Sequence, residues 1–537
     1  MDFLDEISSE TPLPELDQTE PPAGSDRRTF LMRSALAAAM VSLTGRPMAA
    51  FAQQPTTTPG TPPGAAPAPP LDPSLDVVRR SRGPIQTTVE EMYKVGPGPS
   101  SSHTIGPMRI TYDFYQRCTR LPADQQARAT AMKVNLFGSL SATGRGHGTE
   151  RAALAGIIGK QPATVEPAFL DGLAANPNQT FPVTLGGHTF NASLADIIYD
   201  ATTGDFHHPN TMTCRLMAGE QELLSQKYYS VGGGFIEWEG YTPPQKGAPR
   251  YPYQRMSELL NHARQHNLSF AQVAMANEVS VSGKTEAEVN AYLDVVIGAM
   301  RAIVASGLEM PQGVLPGPIQ LKTKAGDVFR RASQGRSEAQ RAVGLIAAYA
   351  LAGSEENARG HLVVTAPTGG SAGVIPALVY SLGEQGARLP DDKIRAGMLA
   401  AAVVGYLGKH NATLSGAEGG CQDEIGVASA MGAAMIAQAY DSDPQVVANA
   451  AESALEHHLG MTCDPVAGYV QVPCIERCAF GAVKAWTAFM VATNEIPVDR
   501  RVDFDTTVSA MALTAKEMNS KYKETSEGGL AVSVVLC

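Results

Sequence analysis

The sequence predicts an α+β domain followed by an all-α helical domain, and three observations support this division. Between residues 87 and 240, short alternating runs such as 133–136 and 181–185 are broken by Gly-Gly and Asn-Pro pairs, a pattern typical of strands mixed with helices. From about Met256 onward, the apolar residues recur at helical spacing. Hydrophobic residues make up 44% of the chain and aromatic residues only 6%, which favours closely packed helices.

The chain divides into four segments. Its length of 537 residues exceeds what one core accommodates, so we expect two globular domains with appendages. Residues 1–52 form a signal-like segment, and residues 53–78 form a linker rich in Pro, Thr, Gly and Ala that cannot bury apolar surface. Residues 79–245 form the predicted α+β domain, and residues 246–537 form the predicted helical domain.

The N-terminal segment resembles a twin-arginine export signal. Arg27 and Arg28 precede an apolar stretch at 35–43, and a further apolar stretch ends near Ala52. The apolar stretch is too short to cross a bilayer permanently, so we expect a cleavable signal and a periplasmic protein. The alternative is a disordered N-terminal tail on a cytoplasmic protein.

Charge and hydropathy exclude two classes of partner. The formal net charge is −11 and no cluster of Lys and Arg occurs, which argues against a nucleic-acid or anionic-membrane partner. Residues 398–406 and 425–440 are apolar almost all round, but they are too short to span a membrane and predict helices buried inside a bundle. We therefore expect no nucleic acid and no stable membrane anchoring.

The seven cysteines indicate metal ligation or free thiols, because an odd number spread over a long chain is unlike a disulfide framework. Three of them, Cys421, Cys463 and Cys474, lie in Gly- or Pro-containing blocks: GAEGGCQDE at 416–424, HLGMTCDP at 458–465 and VPCIER at 472–477. These blocks resemble the iron-binding region of bacterial iron–sulfur L-serine dehydratases. The resemblance implies that these three cysteines are the ligands of a [4Fe-4S] cluster.

The resemblance extends upstream through four further blocks: GPGPSSSHT at 96–104, GHGTE at 146–150, HPNT at 208–211 and YYSVGGG at 228–234. It covers nearly everything from residue 87 onward. It implies the single-chain form of the enzyme, with a regulatory-type domain before a helical catalytic domain, and L-serine as the substrate. We also expect a homodimer.

Three thiolates are the informative number, since a fourth would complete the ligand set and favour simple electron transfer. Three leave one iron open to bind the serine carboxylate and hydroxyl, so that loss of water gives pyruvate and ammonia. One alternative is three buried thiols without a metal. Another is a zinc site that adds His457 or His458, although the spacing lacks the paired motifs of common zinc sites.

The segment from Ser101 and Ser102 through His103 to Thr104 supplies the first candidate catalytic residues. It gathers hydroxyls and an imidazole in a Gly- and Pro-containing loop, where amides and hydroxyls could grip a carboxylate. His103 is the preferred acid or base, because the ordinary pKa of imidazole lies nearest neutrality. The alternative is a polar turn that caps a helix.

His147, His208 and Asn210 are the other candidate catalytic residues. Each lies in a tight loop, in GHGT at 146–149 or HPNT at 208–211, where backbone could approach a ligand closely. For each histidine, a structural hydrogen-bonded role is the alternative.

The chain departs from the family pattern at two places. Gly369 stands where the family has Asn, and Ser371 where it has Ala, in a turn at 365–373 that leads into an apolar stretch. Asp423 stands where the family has Gly, and a carboxylate beside a cluster would alter its potential. These departures put substrate specificity and rate in question, and export would be unusual for an enzyme of central metabolism.

The C-terminal tail, 527–537, is apolar behind a Gly-Gly pair and ends in Cys537. We expect the tail to dock and Cys537 to bind the open iron in the resting enzyme, with an incidental thiol as the alternative. Cys118, Cys214 and Cys478 are expected to be inert. The competing functions are an electron-transfer protein and a catalytically impaired amino-acid-binding or sensor protein. A pyridoxal-phosphate enzyme is disfavoured because nothing around Lys409 supplies a phosphate site.

Overall fold

The computed structural model describes residues 83–534, apart from 203, 205, 243–244 and 385–387. These residues belong to one unit, bounded by Leu71–Cys537. The predicted signal at 1–52 and the predicted linker at 53–78 lie outside the described residues, as does Cys537. The domain boundaries therefore stay predictions at the N-terminal end.

The first half of the described chain builds a five-stranded sheet in the order β5-β2-β6-β7-β8. Strands β2 and β5 are parallel, and the other neighbours are antiparallel. Strands β3 and β4 form a separate hairpin. The predicted strands at 133–136 and 181–185 are confirmed within β2 and β3. The strands are β1 Val95–Pro97, β2 Ala131–Leu136, β3 Phe181–Leu185, β4 His188–Ala192, β5 Ile197–Tyr199, β6 Thr211–Ala218, β7 Gln221–Ser230, β8 Ile236–Trp238 and β9 Leu362–Val364.

Helices cover this sheet, and together they form a core of their own. Strand β2 alternates half-buried and buried positions, so that Met132, Val134 and Leu136 point into the core. Cys118 and Cys214 are buried in the same core, as expected for inert thiols. The helices before residue 245 are α1 Val89–Met92, α2 Gly106–Cys118, α3 Ala123–Arg128, α4 Ser139–Thr143, α5 Thr149–Ile157 and α6 Pro167–Ala175.

The second half is helical, and its first helix begins at Met256, where the sequence pattern changes. A second, larger hydrophobic core lies among these helices and also takes in 85–93 from the start of the described chain. The helices are α7 Met256–His266, α8 Phe270–Ser282, α9 Glu286–Glu309, α10 Ala325–Ser333, α11 Glu338–Arg359, α12 Val374–Gly383, α13 Asp391–Asn411, α14 Gly416–Gly419, α15 Val427–Ala439, α16 Pro444–Glu456, α17 Cys474–Asn494, α18 Phe504–Glu517 and α19 Leu530–Ser533. The predicted fold class is confirmed.

Helices α13 and α15 lie at the centre of the helical half. Every residue of α15 is buried, as is the stretch 397–408 of α13, which confirms the prediction from their all-round apolar sequence. Among the described residues, α9 alone is long and apolar enough to cross a membrane by length and composition. Its apolar stripe, from Val289 to Val304, packs in the helical core, and core helices of this kind pass the same test.

A short antiparallel strand pair joins the two halves of the sequence. Strand β1 precedes the first candidate catalytic segment, and strand β9 interrupts the helical half between α11 and α12. They pair with Val95 opposite Val364 and Pro97 opposite Leu362. The antiparallel register places the segment after β1 beside the end of α11, where the Gly98 N–H donates to the His361 carbonyl at 2.9 Å. The turn after β9 folds back to the same segment, since Gly369 lies against Ser101, so residues far apart in sequence meet at one site.

Candidate active site

The segment after β1, which we call the polar turn (residues 100–105), is wound into a single π-helical turn at the start of α2. All six of its residues are buried. The Ser100 hydroxyl accepts a hydrogen bond from the backbone N–H of His103, 3.1 Å away, and so caps the turn. The segment therefore forms a buried turn at the start of a helix, which was the alternative given for it, and its side chains project from that turn. Single π turns of this kind recur at functional sites.

His103 has both ring nitrogens occupied. The Ser139 hydroxyl donates to the backbone carbonyl of Glu524, so it must accept from His103 Nε2–H at 3.1 Å. His103 Nδ1 then carries the lone pair and accepts from the Ser102 hydroxyl at 2.9 Å. Burial, with His147 beside it, holds the pKa of His103 well below its ordinary value. His103 is therefore neutral and orients Ser102.

His147 ends a short 3₁₀ turn and stacks near His103, with ring centroids 4.5 Å apart. The Thr104 hydroxyl donates to the His147 carbonyl at 2.8 Å. His147 Nδ1–H donates to the carbonyl of Thr143, which fixes the lone pair on Nε2. That atom has no hydrogen-bond partner and lies 3.5 Å from Oε1 of Glu524. Burial lowers the pKa of His147 to about 4, so the lone pair is available at neutral pH.

His208 and Asn210 form a second group beside the first. The backbone N–H of Asn210 donates to His208 Nδ1 at 2.9 Å, so His208 carries its proton on Nε2. This N–H points toward Oε2 of Glu418, 3.6 Å away. The Asn210 amide donates to the carbonyl of Ser230, whose hydroxyl donates to the carbonyl of Ser102. The two groups are thus connected through Ser230.

The three cysteines Cys421, Cys463 and Cys474 line one buried cavity. Cys421 immediately precedes a second π-helical turn, Gln422–Gly426, and Cys474 is the first residue of α17. Helix N-termini favour negative charge and therefore thiolates. The other residues lining this cavity are Ser100, His147, Gly370, Glu424, Ile425, Pro465, Val470 and Glu524. Cys463 lies instead in the segment between α16 and a short 3₁₀ turn, Val466–Gly468, so two of the three cysteines lie at helix starts.

Cys463 is held by backbone pairing to the segment that carries Glu524. The N–H of Cys463 donates to the carbonyl of Tyr522, and the N–H of Glu524 donates to the carbonyl of Cys463, both at 2.8 Å. Gly416 lies close to the same cavity, since a Cβ there would be only 2.6 Å from Oε2 of Glu424. The thiol and the carboxylate that faces the histidines are thus anchored to each other.

Two buried carboxyl groups, Glu424 and Glu524, complete the cavity. Burial raises the pKa of each to about 8. Ligand atoms of Glu424, Cys421 and Cys463 lie within 4.8 Å of one another, as do those of Glu524, His103 and His147. Sequence reasoning did not single out either glutamate. Glu424 was in a quoted block, but Glu524 lies in a segment with no motif that signals chemistry.

One cation faces the thiols. Arg477 of α17 donates to the Thr462 carbonyl at 2.6 Å and to Asp464 at 3.0 Å, and the electrostatic influence of all three cysteines raises its pKa. A positive charge here stabilises thiolates. His457 and His458 instead donate to carbonyls of their own helix and do not line the cavity, so the zinc alternative using them is not supported.

Comparisons with known proteins agree with this geometry. Residues 88–241 match the family model described as serine dehydratase beta chain, and residues 265–531 match serine dehydratase alpha chain. The L-serine dehydratase of Haemophilus influenzae is 39% identical over 457 residues, covering 83% of this chain and 99% of the relative. L-serine dehydratase TdcG of Escherichia coli is 40% identical over 459 residues, covering 83% and 98%. The L-serine dehydratase of Streptomyces coelicolor is 38% identical over 459 residues, covering 84% and 99%.

The chain belongs to the serine dehydratase family. The predicted resemblance and the assignment to the lyases are confirmed. The beta-chain match covers the sheet-containing half and the alpha-chain match covers most of the helical half. The roles of individual residues stay predictions.

Four predicted catalytic residues carry side-chain atoms that are buried without a hydrogen-bond partner. Buried polar atoms are almost always paired, so such atoms mark groups that await a ligand. The four are Ser101 Oγ, His147 Nε2, His208 Nε2 and Asn210 Oδ1. In contrast, Ser102, His103 and Thr104 are fully engaged with protein groups and serve to hold the others.

Both departures from the family pattern lie at the cavity or beside it. A Cβ on Gly369 would lie 2.6 Å from the backbone nitrogen of Ser101, so the turn cannot carry a side chain there in this conformation. Ser371 bonds with Thr368 inside the same turn. Asp423 is fully buried, neither of its oxygens has a hydrogen-bond partner, and burial raises its pKa well above the ordinary value.

The C-terminal tail begins beside the site. Leu530 N–H donates to Asp464 at 2.7 Å, which anchors the start of the tail beside Arg477. Helix α19 lies beside Val466–Gly468, whereas Val532 is 64% exposed and Val534 is 40% exposed, so the described part of the tail docks through its backbone and not through its valines. Cys537 lies outside the described residues, and its predicted role stays a prediction. Cys478 is buried, and its thiol donates to the Gly370 carbonyl.

Proposed function

We propose that this protein is an iron–sulfur L-serine dehydratase that converts L-serine to pyruvate and ammonia. The observation that carries the proposal is one buried cavity that joins three thiols to an imidazole lone pair. Relatives of at least 38% identity that span nearly their full length, all named L-serine dehydratase, support the substrate. A catalytically impaired binding protein is not favoured, because the catalytic candidates are present in a connected site.

A [4Fe-4S] cluster suits the donor set. Cys421, Cys463 and Cys474 would hold it, since soft thiolates select iron–sulfur clusters and three such ligands leave one iron open. Two of the thiols lie at helix N-termini, and the positive charge of Arg477 partly offsets the burial that raises the pKa of Cys474. When bound, an open iron supplies a Lewis acid for the carboxylate and hydroxyl of serine.

The residues of the chain supply orientation and proton handling. We assign His147 Nε2 as the atom that accepts the α-proton, because its lone pair faces the cavity and is fixed there by the Thr143 carbonyl. The Glu524 carboxyl lies 3.5 Å away and is neutral at neutral pH because burial raises its pKa to about 8, so its carbonyl oxygen can accept the hydrogen bond of the protonated ring. Ser101 Oγ binds the substrate, and His103 orients the polar turn rather than exchanging the proton itself. Loss of water then leaves an enamine that hydrolyses in solution.

Anaerobic reconstitution with iron and sulfide tests this function. The loaded protein is expected to release pyruvate and ammonia from L-serine, and air is expected to remove both the activity and the brown chromophore. Full activity in protein that contains no iron would refute the cluster. A reconstituted cluster that responds spectrally to serine without producing pyruvate would instead favour the impaired binding protein.

We further propose export to the periplasm by the twin-arginine route, from Arg27 and Arg28. Replacing both arginines with lysine is expected to retain the protein in the cytoplasm, as measured by cell fractionation. Equal periplasmic amounts of both forms would reject the signal. A homodimer is also proposed, and light scattering of the loaded protein is expected to give twice the chain mass.

A further inference from the structure

Two backbone segments of the site come into direct contact. One is the polar turn, and the other is the glycine loop, which we define as residues 368–373. A Cβ on Gly369 would lie 2.6 Å from Ser101 N and 2.9 Å from the carbonyl carbon of Ser100. The glycine is therefore required for this approach.

One buried side chain bridges these segments. Asn357 lies near the end of α11 and is 2% exposed. Its Nδ2 donates to the carbonyl of Pro99 at 2.7 Å and to the carbonyl of Gly369 at 2.9 Å. Both hydrogens of one amide are thus used, one on each segment. Gly98 allows this, because a Cβ there would lie 2.5 Å from Asn357 Oδ1.

The glycine loop in turn faces the thiol side of the cavity. Gly370 lines the cavity, and a Cβ on it would lie 3.0 Å from Oε1 of Glu424. The Cys478 thiol donates to the Gly370 carbonyl at 3.3 Å. Two consecutive carbonyls of the loop are therefore held, one by Asn357 and one by Cys478. The distance between the polar turn and Glu424 depends on how these carbonyls are held.

We infer that Asn357 is a positioning residue of this site, whose amide sets the spacing between the polar turn and the glycine loop. Asn357 does not line the cavity, so it acts through the carbonyls of Pro99 and Gly369 on the next residues, Ser100 and Gly370, which do line it. A shift of about 1 Å in such a constellation costs on the order of 100-fold in rate. The kinetic part of this inference rests on the proposed serine dehydratase function, and the structural part does not.

Hydrogen exchange on the full chain tests the structural part. In Asn357→Ala, the backbone amides of 100–104 and 369–372 are expected to exchange faster than in the wild type. The matched control is Asn277→Ala. This substitution removes a buried amide in α8 that bonds with the backbone of Tyr251. It is expected to leave both segments unchanged. Equal exchange in both variants would overturn the inference.

Kinetics of the reconstituted enzyme, normalised to iron content, test the catalytic part. Asn357→Ala is expected to lower kcat/KM for L-serine by about 10-fold or more, mainly through kcat, while Asn277→Ala stays near wild type. Gly369→Ala disturbs the same contact from the side of the glycine loop. If both substitutions act on the same spacing, kcat/KM of the double variant is expected to lie no more than about 3-fold below that of the less active single variant.

Each outcome has a separate meaning. Independent, multiplicative losses in Asn357→Ala and Gly369→Ala would overturn the inference, as would wild-type kcat/KM in Asn357→Ala. If Asn357→Ala does not fold, Asn357→Asp keeps the size of the side chain while removing the two donors, and the same exchange and kinetic results are expected. A wild-type protein without activity on serine would refute the proposed function, while the exchange result would still decide the structural claim.

Discussion

The two π-helical turns of this protein make an instructive comparison. Each begins a buried helix, and each delivers polar groups to the same cavity: the polar turn from the sheet-containing half and Gln422–Gly426 from the helical half. In the polar turn, His103, Ser102 and Thr104 are paired with protein groups. In the other turn, Asp423 has no hydrogen-bond partner and burial raises the pKa of Glu424.

This difference separates two kinds of preorganisation. The imidazole side is held in one tautomeric state by backbone carbonyls and hydroxyls alone. The thiol side gathers acidic groups and sulfurs that repel one another once ionised, so a nearby cation such as Arg477 and the proposed cluster would both stabilise it. Folding completes the imidazole side of the site, and the proposed function assigns completion of the thiol side to the binding of the cluster.

The largest expected effect comes from breaking the thiol side. Cys474→Ser is expected to lose iron and to lower kcat by about 10³-fold or more, because the metal contributes several kcal/mol to the transition state. Iron analysis and pyruvate release measure both. Cys214→Ala, a buried thiol in the sheet core, is the control and should affect stability without changing iron per chain. Unchanged turnover in Cys474→Ser would contradict the ligand assignment.

Breaking the imidazole side should give a different signature. His147→Gln removes the lone pair that faces the cavity and is expected to lower kcat by about 10²- to 10⁴-fold while iron content stays constant. His188→Gln is a suitable control, since His188 Nε2–H bonds with the Ala129 carbonyl in the same half but away from the site. If His147→Gln lost iron as well, the two sides would not be separable.

The smallest expected effect concerns Glu278, a buried carboxyl group outside the site that can be compared with the glutamates inside it. Burial raises the pKa of Glu278 to about 7, although it accepts from the Val89 N–H at 3.0 Å. The folded protein therefore holds this proton more tightly than the unfolded chain does, and stability falls as pH rises from about 4.5 to about 7. Glu278→Gln is expected to remove up to about 3 kcal/mol of this dependence. Urea unfolding of the wild type and of Glu278→Gln at pH 5 and pH 8 measures this dependence. An equal loss of unfolding free energy between the two pH values in both proteins would reject the assignment.

Local patterns predicted the framework well. The strand at 133–136, the helical onset at Met256 and the buried helices α13 and α15 follow from apolar periodicity, which is a local property. Cys421, Cys463 and Cys474 were recognisable because each lies in a distinctive block. The cysteines converge on one cavity as the resemblance implied.

The remaining features depend on contacts that no local pattern records. The tautomer of His147 is set by the Thr143 carbonyl, and Glu524 reaches the histidines only because its backbone pairs with Cys463. The π-helical winding of the polar turn and the short strand β9 likewise depend on the partner segment. Sequence reasoning therefore identified the three cysteines and the histidines of the site but missed both glutamates and the bridging Asn357.

The backbone pairing of Cys463 with the segment around Glu524 has a consequence for biosynthesis. The polar turn emerges from the ribosome several hundred residues before Glu524, and the site cannot close until the segment around Glu524 has been synthesised. Contacts so distant in sequence form late in folding. A nascent or truncated chain would therefore lack both the complete metal-binding loop and its facing carboxylate. Insertion of the proposed cluster is thus expected to follow synthesis of the whole chain.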